Sequence, residues 1–301
     1  MVSFGDLTSK GYVLLRSFLT QEELQALRSD FESLRRTSRG ASEVQMVALD
    51  TQRQFEDKLA AIATAVHADT GIRADARAEA GYFATSTGLA FPWHQDYGSY
   101  FIFQQHTDYL NFYIPIVKPD LETSNLSIVP FDALTKSAPD EGAKLVGGGA
   151  CRFLPMAEDG TTRVVDDEVG QSFTLPVHLD ALAVTPRLVA GDLLLLRGDM
   201  IHKTQDGATD RVAVSFRRVG THRILKRSRL LQGGPTKQAI LAASRALYGP
   251  IQHFFARTRK DEASTGEYLA FAERLMSTSF AEPHYVQSRS VHHIANERIV
   301  G

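Results

Sequence analysis

An apolar run near the start, Gly11-Tyr12-Val13-Leu14-Leu15-Arg16-Ser17-Phe18, predicts a short strand from its β-branched and aromatic content. Thr20 follows it and stands three residues before Glu23, the spacing of a capping box, so a helix is expected to begin there. Leu24, Leu27, Phe31 and Leu34 recur at helical intervals and give that helix one apolar face to lay on a sheet. Phe55, Leu59, Ile62 and Val66 predict a second helix from about Thr51 to Ala68. From about residue 78 to 220 the pattern changes to short β-like runs broken by Gly, Pro, Asp and Asn, as in an all-β barrel or sandwich. The clearest runs are Leu110 to Val117, Leu126 to Val129, Leu193 to Leu196 and Val212 to Phe216. In the last of these, Val212, Val214 and Phe216 share one face and Arg211, Ala213 and Ser215 the other. If the apolar set packs on helices, Arg211 turns towards the barrel interior. The stretch from about 135 to 180, with Gly147-Gly148-Gly149 and Asp166-Asp167-Glu168, is expected to be a long loop, either a lid, a binding loop or a partly disordered segment. After Gly220 helices are expected near 236 to 248, 250 to 258 and 264 to 278.

With 301 residues the chain can bury a large core. The expected organisation is a barrel domain with N-terminal helices over 1–220, and a helical extension over 221–301 packed on the same domain. That extension is also a candidate cap over the active site or surface for self-association. A 43% hydrophobic and 23% charged composition is that of an ordinary globular chain. No apolar run approaches the roughly 18 residues of a bilayer span. The opening Met1-Val2-Ser3-Phe4-Gly5-Asp6 has neither a basic nor an apolar targeting region, and the single Cys151 excludes an intrachain disulfide. A cytoplasmic location is therefore expected. A net charge of −2 lacks the basic excess of a phosphate-tracking protein, which leaves a small molecule as the expected partner rather than nucleic acid or membrane.

Chemistry concentrates at Phe91-Pro92-Trp93-His94-Gln95-Asp96, where a histidine and a carboxylate two residues apart on a strand edge project the same way. A second copy of the spacing, His106-Thr107-Asp108, lies in a turn-like context and is expected to supply turn polarity or substrate contacts. His202 follows the apolar run that begins after Gly191-Asp192, and Arg211 follows it in turn. Two imidazoles and one carboxylate leave positions open on Fe(II), which suits a reaction needing a chelating co-substrate and O₂ at one metal. A buried guanidinium at Arg211 would need an anion, best a bidentate carboxylate, and the far carboxylate of 2-oxoglutarate fills that need. Arg217 and Arg218 are rivals for the role, expected to lie in solvent near the strand's end.

The chain resembles the phytanoyl-CoA dioxygenase-like family of Fe(II)/2-oxoglutarate oxygenases. Four blocks carry the resemblance: Gly11 to Leu34, Trp93-His94-Gln95-Asp96, Asn125-Leu126-Ser127-Ile128-Val129-Pro130, and Gly191-Asp192 through His202 to Arg211. It implies a double-stranded β-helix with a jelly-roll core and flanking helices. It also implies His94, Asp96 and His202 as iron ligands, Arg211 as the anchor of 2-oxoglutarate, and Thr204 as a hydroxyl touching the same carboxylate. Because Asp96 is present, hydroxylation is expected, since related halogenases have Gly or Ala there. Desaturation, epoxidation or ring closure would use the same residues.

Two departures from the family pattern matter. The usual Pro-Gly-Ser-His reads Pro130-Phe131-Asp132-Ala133, and the amide that assists the other end of 2-oxoglutarate is not evident in Glu79 to Thr87, leaving Tyr82, Thr85 or Asn111 as stand-ins. Trp93, Gln95, Tyr97, Tyr100, Gln104, Asn111 and Tyr113 are candidate substrate contacts, with Arg197, and more weakly Arg73, as anchor for a substrate carboxylate. This polar, aromatic set favours a small amino-acid-like or natural-product substrate. An acyl-CoA would need a basic patch, for which Lys136, Lys144 and Arg152 are the candidates. The competing classes are a cupin-type metal enzyme without 2-oxoglutarate and a non-catalytic binding barrel.

Overall fold

The computed structural model describes residues 3–37, 44–85, 90–156 and 160–278. The chain starts with α1 (Asp6–Ser9), β1 (Tyr12–Leu15), α2 (Gln21–Thr37), β2 (Val44–Met46) and α3 (Leu49–Thr70). There follow β3 (Ala76–Ala84), α4 (Tyr97–Phe103), β4 (Tyr109–Val117) and β5 (Leu126–Val129). Next come α5 (Phe131–Ser137), α6 (Pro139–Leu145), β6 (Cys151–Pro155), β7 (Thr162–Asp166), β8 (Gln171–Leu175) and α7 (Leu179–Leu182). The barrel closes with β9 (Leu193–Arg197), β10 (Ile201–Thr204) and β11 (Val212–Val219). After it run β12 (Ile224–Lys226), α8 (Arg227–Leu231), α9 (Pro235–Ala243), α10 (Arg245–Thr258), β13 (Glu262–Ser264) and α11 (Thr265–Thr278).

Two antiparallel sheets face one another. The larger has the order β1-β9-β4-β11-β3-β2. The smaller joins β10-β5 to β6-β7-β8 through the segment at His94, which bridges to both His202 and Arg152. Alternation decides what each strand buries. Leu193, Leu195, Val212, Val214 and Phe216 pack outward on α2 and α3 with Leu27, Phe31, Phe55 and Leu59. Leu194, Leu196 and Ala213 turn inward to meet Leu126 and Ile128 of the smaller sheet. The result is a double-stranded β-helix with helices on its outer faces. The predicted capping box forms: Glu23 N–H donates to the Thr20 hydroxyl at 3.2 Å and Thr20 N–H to the Glu23 carboxylate at 2.7 Å.

Two expectations are corrected. The stretch 135–180 is not a loop. It folds into α5, α6, the β6-β7-β8 meander and α7, because Phe153, Val164, Leu175 and Leu179 close a core with Trp93, Val129 and Ile201 on the outer side of the smaller sheet. The C-terminal helices break at Ser244 rather than near Pro250, which sits inside α10. One lost N–H there is outweighed by burial of Tyr248, Ile251, Phe254 and Phe255 against α4. The part of the expected extension beyond 278 lies outside the described residues.

Candidate metal centre

His94 and His202 are direct partners across the smaller sheet, each amide donating to the other's carbonyl at 3.0 Å. That pairing sets the two rings side by side, with centroids 4.3 Å apart. His94 Nδ1 lies 2.7 Å from the Pro92 carbonyl and His202 Nδ1 2.9 Å from that of Met200. A carbonyl only accepts, so Nδ1 carries the proton in both rings and Nε2 keeps its lone pair. Those Nε2 atoms converge on Asp96 Oδ1, at 3.8 Å from His94 and 3.7 Å from His202. One ligand atom from each of the three residues can be chosen so that all lie within 4.8 Å of one another. Two imidazoles oriented by the carbonyls behind them, with a carboxylate beside them, fit a divalent first-row metal.

Asp96 is oriented from its other oxygen. Asn111 donates its amide to Oδ2 at 3.1 Å, and the Ser215 hydroxyl donates to the Asn111 carbonyl oxygen, which fixes which way the amide faces. Burial opposes ionisation of Asp96, but His202, Arg217, His94 and His106 together hold its carboxyl well below the usual range. The inward alternation of Arg211, Ala213 and Ser215 is as expected. Arg211 is buried, its guanidinium carbon 5.8 Å from the Tyr113 ring centroid, and its Nε has no hydrogen-bond partner. Among the described residues no carboxylate pairs with it. Thr85 serves this segment rather than the cavity: its hydroxyl accepts from Arg211 N–H at 2.9 Å and reaches the carbonyls of Thr209 and Arg211.

Residues 7–136 match the phytanoyl-CoA dioxygenase (PhyH) family. The match takes in His94 and Asp96 and ends before His202 and Arg211. Among curated proteins there is no sequence match. Solved structures similar to this chain include the α-ketoglutarate-dependent epimerase SnoN from nogalamycin biosynthesis, with 17% identity over 73% of this chain and 82% of that one, at a TM-score of 0.47. EctD from S. alaskensis is similar at 12% identity, 77% and 83% coverage and a TM-score of 0.47. A Pseudomonas putida prolyl-4-hydroxylase stands at 12%, 72% and 96%, with 0.43. Likenesses of this size bear on no particular residue or reaction.

Several contacts expected from the sequence fall elsewhere. Tyr82 is on the outer face of β3, its ring 5.4 Å from Phe31 and its hydroxyl donating to Asp30 at 2.7 Å, because even positions of that strand face α2. Trp93 packs in the core outside the smaller sheet. Gln95 donates to the carbonyls of Leu145 and Asp199, and Gln104 is spent on the backbone of Lys226. Tyr97 is buried against Phe101, and Tyr100 meets His106 edge to face and accepts from Arg229 at 3.2 Å. Arg197 is committed to the Asp199 carboxylate and the Phe131 ring, and Arg73 to Asp75. Of the basic-patch candidates, Arg152 is buried in an ion pair with Asp167 and Lys144 lies over Phe173. Thr204 is buried two residues beyond His202 on the same face of β10, and Tyr113 lies under Arg211.

Two residues stand closer to the centre than the sequence reading gave them: His106, read as turn polarity or a substrate contact, and Arg217, read as solvated. His106 is fully buried, with the Ser99 hydroxyl 3.1 Å from its Nε2. Burial pushes the ring down to about 4, against the opposing pull of Asp96. A Cβ at Gly149 would meet the Tyr100 ring and lie 2.7 Å from His106 Nδ1, which explains the glycine. Asp108, by contrast, is structural and pairs with Arg223. Arg217 and Arg218 are not solvated: Arg218 is buried against Glu56 at 2.6 Å, and Arg217 faces the barrel close enough to act on Asp96. The signal was present, since extending the alternation of Arg211, Ala213 and Ser215 by one step puts Arg217 inside.

Proposed function

We propose that this chain is an Fe(II)/2-oxoglutarate-dependent oxygenase that hydroxylates a small amino-acid-like or natural-product substrate. With iron, 2-oxoglutarate and O₂ bound, such a centre couples decarboxylation of the co-substrate to oxidation of a C–H bond and releases succinate and CO₂. His94, Asp96 and His202 hold the metal, and Asn111 keeps Asp96 turned towards it. Arg211, with Thr204 as the nearby hydroxyl, takes the far carboxylate of 2-oxoglutarate. The observation that carries this reading is Arg211, a buried guanidinium without a carboxylate partner, turned into the same barrel interior as a convergent His-Asp-His set. Burying a charge unpaired is costly, so such a group marks the seat of an anion that arrives from solution.

Calorimetric titration of Ni(II) and then 2-oxoglutarate, followed by succinate assay with Fe(II), tests the assignment. Ala at His94, Asp96 or His202 should abolish metal binding while the circular dichroism spectrum is retained. Arg211→Gln should weaken 2-oxoglutarate binding about tenfold or more and leave Ni(II) affinity unchanged. Metal binding without 2-oxoglutarate binding would favour a cupin-type enzyme, and loss of metal only on changing His106 and Asp108 would move the centre.

A further inference from the structure

Strand β11 carries a second inward guanidinium. Arg217 lies across the ladder from Asn111, the residue whose amide holds Asp96. Its Nε is buried without a partner, and among the described residues its guanidinium donates no hydrogen bond. The nearest carboxylate is Glu79 on β3, with Nη1 3.8 Å from Oε1, while Glu79 accepts from the Tyr109 hydroxyl at 3.0 Å. A purely structural pair in this molecule closes further: Arg218 reaches Glu56 at 2.6 Å, and Arg152 puts Nη2 2.8 Å from Asp167. Arg217 and Glu79 instead stand side by side, 14% and 20% exposed, and Arg217 is close enough to Asp96, itself 15% exposed, to act on its carboxyl. Phe83 lies 5.6 Å beneath the Arg217 guanidinium and Phe91 6.1 Å from Phe83, and Phe91 is 5.7 Å from the His94 ring.

An open cation alone would suit any anion. The adjoining carboxylate changes that, because it repels a doubly charged phosphate and offers an acceptor to a cation. An α-amino acid carries its carboxylate and ammonium on one carbon, so the groups that receive them must be neighbours. We propose that Arg217 and Glu79 form the recognition pair for a zwitterionic, α-amino-acid-like head group, Arg217 taking its carboxylate and Glu79 its ammonium. The inference rests on the oxygenase reading for its setting, and it replaces Arg197 as the substrate anchor. Phe83 and Phe91 are the wall along which the rest of the substrate runs from the head group towards the metal.

The test is the thermal melting of the full chain loaded with Ni(II) and 2-oxoglutarate, with L-amino acids, their primary amides and their N-acetyl derivatives as probes. Free amino acids should raise the melting temperature of the wild type above the shift given by either derivative. Arg217→Gln should weaken their binding about tenfold or more, and Glu79→Gln should bring free and N-acetyl forms closer together. Should Arg217→Gln fold poorly, Arg217→Lys keeps the charge but loses the planar fork, so it should bind the free amino acids more weakly than wild type. A wild type that treats acid, amide and N-acetyl forms alike overturns the proposal, as does undiminished amino-acid binding by either Arg217 variant. Titration of 2-oxoglutarate into the same variants separates the two readings. Failure to bind it in the wild type would sink the oxygenase reading, while head-group discrimination is still measured on the Ni(II)-loaded chain alone. Loss of 2-oxoglutarate affinity in Arg217→Gln would make Arg217 the co-substrate anchor and overturn its role here.

Discussion

An imidazole offers a lone pair only from the nitrogen that carries no proton, so the carbonyls of Pro92 and Met200 decide what His94 and His202 can do. His106 is different. It sits ten residues beyond Asp96, fully buried, and burial lowers its pKa from 6.5 to about 4 against the opposing pull of Asp96 and the Gly198 backbone. An unfolded chain takes up that proton below about pH 6.5 and the folded chain only near pH 4, so acidification across this window favours unfolding by up to about 3 kcal/mol. His106→Gln should therefore lose less stability than wild type between pH 7 and pH 5, read as urea midpoints. Parallel losses would show that His106 is not the group responsible. At this scale the centre was legible because His94 and Asp96 are separated by one residue and share a face by local geometry alone. The place of His106 was less so, since it depends on where α4 ends, whereas Arg217 needed only one more step of the β11 alternation.

An element matters here through which faces it turns inward. Strand β11 and the residue just before it put Arg211, Ser215 and Arg217 into the barrel and Val212, Val214 and Phe216 under the helices. The helix that covers this outer face starts at the Thr20 capping box, and Lys58 of α3 reaches the same Glu23 carboxylate at 2.6 Å. Thr20 is exposed, so its removal takes away a cap and no packing. Thr20→Ala should cost about 1 kcal/mol in denaturant unfolding, with Thr20→Ser close to wild type. Equal midpoints for all three would show that Lys58 alone holds the helix start. Periodicity found this helix and the strands with long apolar runs. It missed β6, β7 and β8, where glycine and acidic turns interrupt short strands whose inward positions are single residues such as Phe153, Val164 and Leu175.

In the whole molecule, the segment after β11 returns to the centre from behind. Leu230, Ile240, Tyr248, Ile251, Phe254 and Phe255 share one core with Tyr97, Phe101 and Phe103 of α4, the helix that begins next to Asp96. Sequence placed these helices without saying what they cover, because that depends on pairing across the chain and not on local pattern. A charged knot closes the contact: Lys237, 1% exposed, donates to Glu168 at 2.7 Å and to the Arg229 carbonyl, and Arg229 reaches Glu168 at 2.9 Å. Burial lowers the Lys237 pKa while Glu168 raises it, so Glu168 is what keeps that ammonium charged. Glu168→Gln should cost about 3–5 kcal/mol at pH 7, since it strands a buried charge. The sign of its pH dependence follows. With the folded-state pKa of Lys237 depressed further, the folded chain sheds the proton at lower pH than the unfolded chain, so stability rises as pH climbs towards the ordinary lysine value. Urea midpoints of Glu168→Gln and wild type should converge between pH 7 and pH 10, and a gap that stays constant would place the loss in packing rather than in the stranded charge.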